Sequence, residues 1–302
     1  MKLDTTENTS TIGRKLRARN LHTVCGEARC PNRHECWNEF RTATFMILGS
    51  ICTRSCRFCA VEGGRPPETP DEDEPRRISL TVKELGIEHA VITMVSRDDL
   101  EDGGASHLAA TRMAIGAMNP AVTVEYLSSD MKSREESIAT LVESLPDVIG
   151  HNVETVRRLT ALVRSHSDYD CSLNFLSAAK KMAPDILTKS SIMLGLGEEK
   201  SEILETMADI RETGCDALYL GQYLQPSRSG RHLPVTRYWS PDDFLELKEA
   251  AINMEFAYVE AGPMVRSSYH AGSHQELFRE YRAKRLADAR MNSSPLEPLT
   301  GP

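Results

Sequence analysis

From residue 44 onward the sequence predicts an α/β protein: a partial (β/α) barrel of about six strand–helix units with N-terminal and C-terminal extensions. Short β-branched and aromatic runs alternate with helical patterns, which calls for parallel strands joined by right-handed crossovers. The runs recur often enough for six or seven such units, and the pattern alone also admits a doubly wound sheet. A group of reactive side chains directly follows the first run, where a barrel places its chemistry, at the C-terminal ends of the strands.

In chain order, residues 44–49 (TFMILG), 89–94 (HAVITM), 122–127 (VTVEYL), 147–151 (DVIGH), 191–196 (SIMLGL), 217–220 (ALYL) and 256–260 (FAYVE) read as strands. Residues 105–118 read as a helix with Leu108, Met113, Ile115 and Met118 as its apolar positions, and 202–212 as one with Ile203, Met207 and Ile210 on a single stripe. Ser240 before Pro241, Asp242 and Asp243 is an N-cap with proline at the first helical position. The acidic, proline-rich 65–75 (RPPETPDEDEP) reads as an exposed loop, and the segment after Arg290 as a disordered tail. The expected division is an extension over 1–43, the barrel over 44–262 and a second extension over 263–302.

At 302 residues, 40% hydrophobic and 26% charged, the composition is globular and excludes fibrous or wholly disordered chains. No apolar run approaches the roughly 20 residues that span a bilayer, and the N-terminus (MKLDTTENTS) lacks the apolar core of a signal peptide. A soluble cytoplasmic protein, away from membranes, is the expectation. A net charge of −8 argues against general nucleic-acid binding. Residues 11–65 nevertheless hold ten Lys/Arg against four acids. That segment is either a solvated face or a dock for an acidic partner or anionic cofactor.

Six of the eight cysteines fall between residues 25 and 59, while Cys171 and Cys215 stand in apolar contexts and read as packing residues. Cys52, Cys56 and Cys59 form C-x3-C-x2-C, a loop able to give three ligands to one corner of a four-iron, four-sulfur cluster and leave the fourth iron open. Phe58, beside the last cysteine, would shield it from water. The spacing with an aromatic before the final cysteine is the signature of radical S-adenosylmethionine (SAM) enzymes. Zinc is the competing reading, with His22 or His34 completing a Cys3His set, but no second knuckle of ribbon spacing accompanies the triplet. Cys25, Cys30 and Cys36 form a second triplet, C-x4-C-x5-C, which points to a second cluster.

The runs 23–37 (TVCGEARCPNRHECW) and 42–60 (TATFMILGSICTRSCRFCA) resemble the lipoyl synthase family, as do RDDLEDGG at 97–104, HNVETV at 151–156, GLGE at 195–198, GQYLQPS at 221–227, RHLPV at 231–235 and VRSSYH at 265–270. The resemblance implies two 4Fe-4S clusters. One, on Cys52, Cys56 and Cys59, binds SAM and cleaves it to methionine and a 5′-deoxyadenosyl radical. The other, on Cys25, Cys30 and Cys36 with Ser268 as an oxygen ligand, is sacrificed as the sulfur source. Oxygen is a poor match for thiophilic iron, so that ligand can leave as the cluster is dismantled. The implied reaction inserts two sulfur atoms, at C6 and C8 of an octanoyl group amide-linked to a carrier lysine. The target is an unactivated methylene, so a cofactor must carry the hard step.

The resemblance further implies octanoylated lipoyl carrier domains as substrates: acyltransferase subunits of 2-oxoacid dehydrogenases and the H protein of glycine cleavage. It also implies a flavodoxin- or ferredoxin-type donor and a cluster-repair carrier. The 98–104 loop, with Asp98, Asp99, Gly103 and Gly104, is expected to hold part of SAM; the alternative is a helix N-terminus stabilised by Asp102 and permissive glycines. Gly195 and Gly197 are expected beside the adenine or ribose, and Asn152 and Glu154 in the same pocket, with helix capping as their alternative. His34, Met94, Ser96 and the run LSSD at 127–130 depart from the family pattern without removing a cluster ligand. The rival activities are another sulfur-inserting radical SAM enzyme acting on a free small molecule, as biotin synthase does, and a zinc-stabilised binding module.

Overall fold

The structure is a computed structural model that describes residues 13–16, 18–24, 32–66 and 69–269. Cys25, Cys30, His270 and the tail lie outside the described residues. Ten strands are assigned among them: β1 (His22–Thr23), β2 (Thr42–Ile47), β3 (Ile51–Cys52), β4 (Glu62–Gly63), β5 (His89–Met94), β6 (Thr123–Leu127), β7 (Val148–Gly150), β8 (Leu187–Leu194), β9 (Ala217–Gln222) and β10 (Tyr258–Gly262). Eight form one sheet in the order β1-β2-β5-β6-β7-β8-β9-β10, all parallel except β1, which pairs antiparallel with β2.

Six crossovers link the seven parallel strands through α2 (Glu74–Leu85), α3 (Ala105–Met118), α4 (Glu135–Glu143), α6 (Tyr169–Met182), α7 (Lys200–Glu212) and α8 (Pro241–Asn253). The short α1 (Arg33–Asn38) precedes β2, and α5 (Thr160–Val163) precedes α6. Six strand–helix units around a sheet that runs from edge to edge give the partial barrel and set aside the doubly wound alternative.

All seven expected strands are present, with ends displaced by a few residues; the fourth is three residues long and the fifth begins at Leu187 rather than 191. Three helices were not legible. α2 starts at Glu74, inside the stretch expected to be loop, with Pro75 in its first turn and Gly86 closing it in the left-handed conformation. α4 and α6 carry Ser, Thr and Asn among their apolar positions, which blurs the 3.6-residue period. Met113, assigned to the apolar stripe of α3, faces solvent. Ser240 caps α8 as expected, accepting from the Asp243 N–H at 3.1 Å. Cys215 is buried in the core, and Cys171 is half-buried beside Ser133.

Alternation along the strands gives the sheet two different faces. Phe45, Ile92, Tyr126, Ile149, Leu218 and Leu220 belong to the continuous apolar core beneath the helices. Their neighbours on the barrel side include His89, Glu125, Lys189 and Tyr219, all buried. The lumen of this barrel is therefore polar at mid-height, unlike the branched apolar layers that commonly fill such barrels. Among the described residues no helix is long and apolar enough to cross a membrane.

Candidate active site

β2 ends in a turn at Leu48 and Gly49, both with positive φ, that swings the chain across the C-terminal ends of the strands. Buried Glu74 holds this turn, accepting from the Leu48 N–H at 3.0 Å and pairing with His107 at 2.8 Å. The C-x3-C-x2-C loop follows. Its start and end are tied by the β3–β4 pair and by the Gly64 N–H on the Cys52 carbonyl at 2.8 Å.

Two backbone N–H groups, of Arg54 (3.4 Å) and Ser96 (3.3 Å), point at Cys52 Sγ. Burial pushes the Cys56 thiol up, and the Cys59 thiol up to about 11, with the neighbouring cysteines adding to both. Three thiols on one short loop, the first supplied with N–H donors to its sulfur, suit iron–sulfur ligation, in which bound iron takes the place of the protons. Among the described residues no three His, Cys, Asp or Glu side chains converge as ligands of a single ion would.

Between the first two cysteines, Arg54 turns inward. Its guanidinium meets Asp98 beyond β5 (2.8 and 2.9 Å), Asp130 beyond β6 (2.6 Å twice) and Ser167 (2.8 Å). Burial alone would raise Asp130, yet the Arg54 hydrogen bonds and nearby positive charge outweigh it and hold the carboxyl well below the ordinary range. Asp98 also accepts from Thr53 Oγ1 at 3.2 Å, and Asp99 is engaged by Arg97. Both carboxylates expected to face SAM are therefore already held by arginines.

Gly103 and Gly104 take positive φ at the start of α3, and Asp102 accepts from the Gly104 and Ser106 N–H groups. A Cβ on Gly104 would come within 2.5 Å of Leu48 Cδ1. This matches the alternative of a helix start with permissive glycines.

Beyond β7, the HNVETV run enters the barrel mouth. Asn152 Nδ2 donates to Glu154 Oε1 at 3.1 Å, and Glu154, with φ 71°, bridges to Ile192 of β8. A half-buried glutamate in the left-handed region is strained, which is common where a side chain must be aimed at a ligand. Burial raises its carboxyl, opposed by Arg164. Asn152 Oδ1 and His151 Nε2 are buried without a hydrogen-bond partner. Helix capping, the alternative for Asn152 and Glu154, does not occur: the next helical turn is capped by Val156.

The glycines of GLGE differ. Glu198 gathers the loop by accepting from the N–H groups of Gly195 (2.5 Å), Leu196 (2.9 Å) and the Trp239 indole (2.9 Å). A Cβ on Gly195 would lie 2.6 Å from the Arg237 carbonyl oxygen and against the Gln222 amide, whereas Gly197 faces more open space. Gly195 is thus required by the crossing segment 236–239.

Four contributors were missed. Arg54 lies inside the cysteine motif, so its position was a signal. Arg164 is buried with its charge near Glu154, Asp130 and Cys56, and donates to the Val153 carbonyl and Ser172. His232 Nε2 meets the Cys59 carbonyl at 3.0 Å, which fixes the tautomer, while Ser227 Oγ faces its Nδ1 at 2.8 Å. Nothing in the local sequence marks Arg164, whose charge acts on the remote Asp130 and Cys56, whereas Ser227 reaches His232 only five residues further on.

The two extensions meet. Asn32 Nδ2 donates to the Met264 carbonyl at 2.9 Å, and the Tyr269 hydroxyl donates to Glu35 at 3.5 Å. Burial, then the charges of Glu35 and Cys36, raises the Tyr269 phenol, and the hydrogen bond to Glu35 sets the RSSY segment against α1, which carries Cys36. Ser268 is half-buried next to it.

A six-unit partial barrel with this cysteine loop over its mouth defines a radical SAM enzyme, and the family model of the radical SAM superfamily matches residues 46–210. The fold is shared with the FeFe-hydrogenase maturase HydG from Carboxydothermus hydrogenoformans, at TM-score 0.57 and 13% identity over 84% of this chain and 65% of that one. Closer in sequence are the lipoyl synthases of Bacillus mycoides, 52% identical over 94% of both chains, and Bacillus cytotoxicus, 54% identical over 90% of both. The chain belongs to the lipoyl synthase family, radical SAM enzymes that use SAM and 4Fe-4S clusters, one of them auxiliary. Neither the zinc module nor the free-substrate enzyme is consistent with that membership.

Proposed function

We propose that this chain inserts sulfur at C6 and C8 of an octanoyl group carried on a lysine of a lipoyl carrier domain, with the following division of labour among its residues. The observation that carries it is the meeting of the segment around Cys36, through Asn32 and Glu35, with Met264 and Tyr269, beside a barrel whose mouth holds Cys52, Cys56 and Cys59. In this reading the three loop cysteines hold the SAM-binding cluster. Cys25, Cys30 and Cys36 with Ser268 hold the auxiliary one, and residues 1–43 and 263–302 serve as extensions that assemble it against the 44–262 barrel. When bound, the cluster and SAM supply a carbon-centred radical able to take hydrogen from an unactivated methylene.

The protein's own groups position and enclose. Asn152 Oδ1 and Glu154 offer acceptors to the ribose hydroxyls of SAM, and buried Arg164 offers a cation to its carboxylate. Gly195 and Gly197 present backbone to the adenine side. Asp98 and Asp99, with Gly103 and Gly104, shape the wall around SAM through Arg54 and Arg97 rather than by direct carboxylate contact. The basic segment 11–65 steers acidic carriers, a flavodoxin- or ferredoxin-type donor and a cluster-repair carrier, in a cytoplasmic setting.

The test is anaerobic incubation of reconstituted protein with SAM, reductant and an octanoyl-lysyl peptide, read by mass spectrometry. The peptide gains two sulfur atoms; Cys36→Ala retains SAM cleavage and loses sulfur transfer, and Cys52→Ala loses both. An unaltered peptide alongside competent SAM cleavage overturns the substrate assignment.

A further inference from the structure

The polar mid-height of the lumen is not used by the chemistry above. Glu125 of β6 is fully buried, ion-paired with Lys189 of β8 and 3.3 Å from His89 Nε2. His89 Nδ1 meets Thr123 Oγ1 at 2.7 Å, and the Lys189 ammonium stands 4.7 Å from the centre of the Tyr219 ring. Tyr219 in turn packs near Tyr258, with ring centres 5.9 Å apart. These side chains come from five strands, β5, β6, β8, β9 and β10, and cross the lumen as a belt.

Above the belt the lumen changes character. Leu127, on the next barrel-facing row of β6, and Met193, four residues beyond Lys189 on β8, are apolar and only partly buried. Gly150 lies between β6 and β8; a Cβ there would be 3.6 Å from Leu127 Cδ1 and 3.8 Å from Lys189 Cε. The Leu127 methyl and the alkyl stem of Lys189 thus flank one point of β7, apolar wall meeting the top of the belt, while the Tyr126 carbonyl oxygen, 2.8 Å from that Cβ position, is what requires glycine there.

This apolar space is bordered from two sides by the reactive segments. Cys52 Sγ is reached by the Ser96 N–H, three residues past barrel-facing Thr93, and Val265 and Tyr269 of the RSSY segment pack on Tyr219.

We propose that the Glu125–Lys189 pair, braced by His89 and Tyr219, is the floor of the acyl channel and sets the chain length accepted, an eight-carbon chain running along Leu127 in the wall and its far end stopping against the stem of Lys189. The proposal rests on the acyl-carrier reading above. An alkyl chain cannot displace the floor, because parting two buried charges leaves each uncompensated. In an open-ended apolar channel each further buried methylene would tighten binding roughly fourfold.

The experiment measures affinities of hexanoyl-, octanoyl-, decanoyl- and dodecanoyl-lysyl peptides for the reconstituted, SAM-loaded protein by fluorescence anisotropy. Wild-type affinity rises to octanoyl and then falls at least tenfold at decanoyl. In Glu125→Gln/Lys189→Ala, which vacates the stem and leaves His89 a neutral partner, the decanoyl-to-octanoyl ratio recovers at least tenfold. Leu127→Ala weakens every chain that fills the space and leaves the limit at eight carbons. A wild-type affinity that keeps climbing through dodecanoyl, a folded double variant with an unchanged ratio, or a Leu127→Ala protein that binds all chains normally overturns the floor. If the double variant does not fold, the wild-type series and Leu127→Ala decide. Octanoyl peptide that is neither bound nor thiolated by wild type instead overturns the underlying acyl-carrier reading.

Discussion

Arg54 and Asp130 are joined by two hydrogen bonds of 2.6 Å in a buried setting, although 76 residues separate them in sequence. The pair anchors the cysteine loop to the end of β6 as Asp98 anchors it to the end of β5. An arginine fork suits this task because its planar donors engage two carboxylates at fixed angles.

Arg54→Gln leaves two carboxylates at a buried site without their cation. It is expected to cost about 3–5 kcal/mol of stability and to lower the iron retained after reconstitution. Denaturant unfolding of the cluster-free protein reads the first and iron analysis the second. A variant as stable as wild type would show that the clamp contributes nothing.

Ser227 and His232 act on the third cysteine from outside the loop. Ser227→Ala frees the imidazole to rotate away from the Cys59 carbonyl. Loss of such a supporting contact commonly weakens metal binding about 10–100-fold, so chelator should strip iron from the variant faster at unchanged thermal stability. Equal stripping rates would count against the relay.

His151 gives a pH signature. Burial, then the Arg164 charge, lowers its pKa to about 4, so the folded protein keeps it neutral. The unfolded chain takes up that proton near pH 6.5, so between these values unfolding binds protons. Stability present above pH 6.5 is lost as pH falls toward 4, by about 2 kcal/mol between pH 7 and 5. His151→Gln should flatten the unfolding midpoint over that range, and a parallel pH profile would refute the assignment.

Two glycines two residues apart should respond differently. At Gly195, φ is 113° and the Arg237 carbonyl leaves no room for a Cβ, so Gly195→Ala is expected to cost about 2–4 kcal/mol. Gly197 has a similar φ of 108° but its nearest neighbour is 3.8 Å away, so Gly197→Ala should cost only the conformational strain, about 1–2 kcal/mol. Equal losses on thermal unfolding would assign the requirement to backbone conformation alone.

Much of this protein is written locally. Alternating strand and helix patterns, the Ser240–Pro241 cap and the cysteine spacing each depend on residues within a few positions of one another, so the barrel and the chemistry of its cysteine loop follow from sequence. The helices α2, α4 and α6 were obscured because they bury hydroxyls such as Ser79, Thr81 and Ser172, which bond back to carbonyls three or four residues earlier and so leave polar residues on the apolar face. Asp98 and Asp99 illustrate another limit: two acids beside two glycines suggest a ligand loop, and only the packed structure shows Arg54 and Arg97 in possession of them.

What tertiary structure alone decided is which groups meet. Arg54 finds Asp130, His232 finds the Cys59 carbonyl, Tyr269 finds Glu35, and Glu125 finds Lys189 across 64 residues of chain. Strand periodicity says that alternate residues face the barrel, but register and strand order determine which of them stand together, and in a low-dielectric interior that choice decides whether a charge is a liability or a structural element.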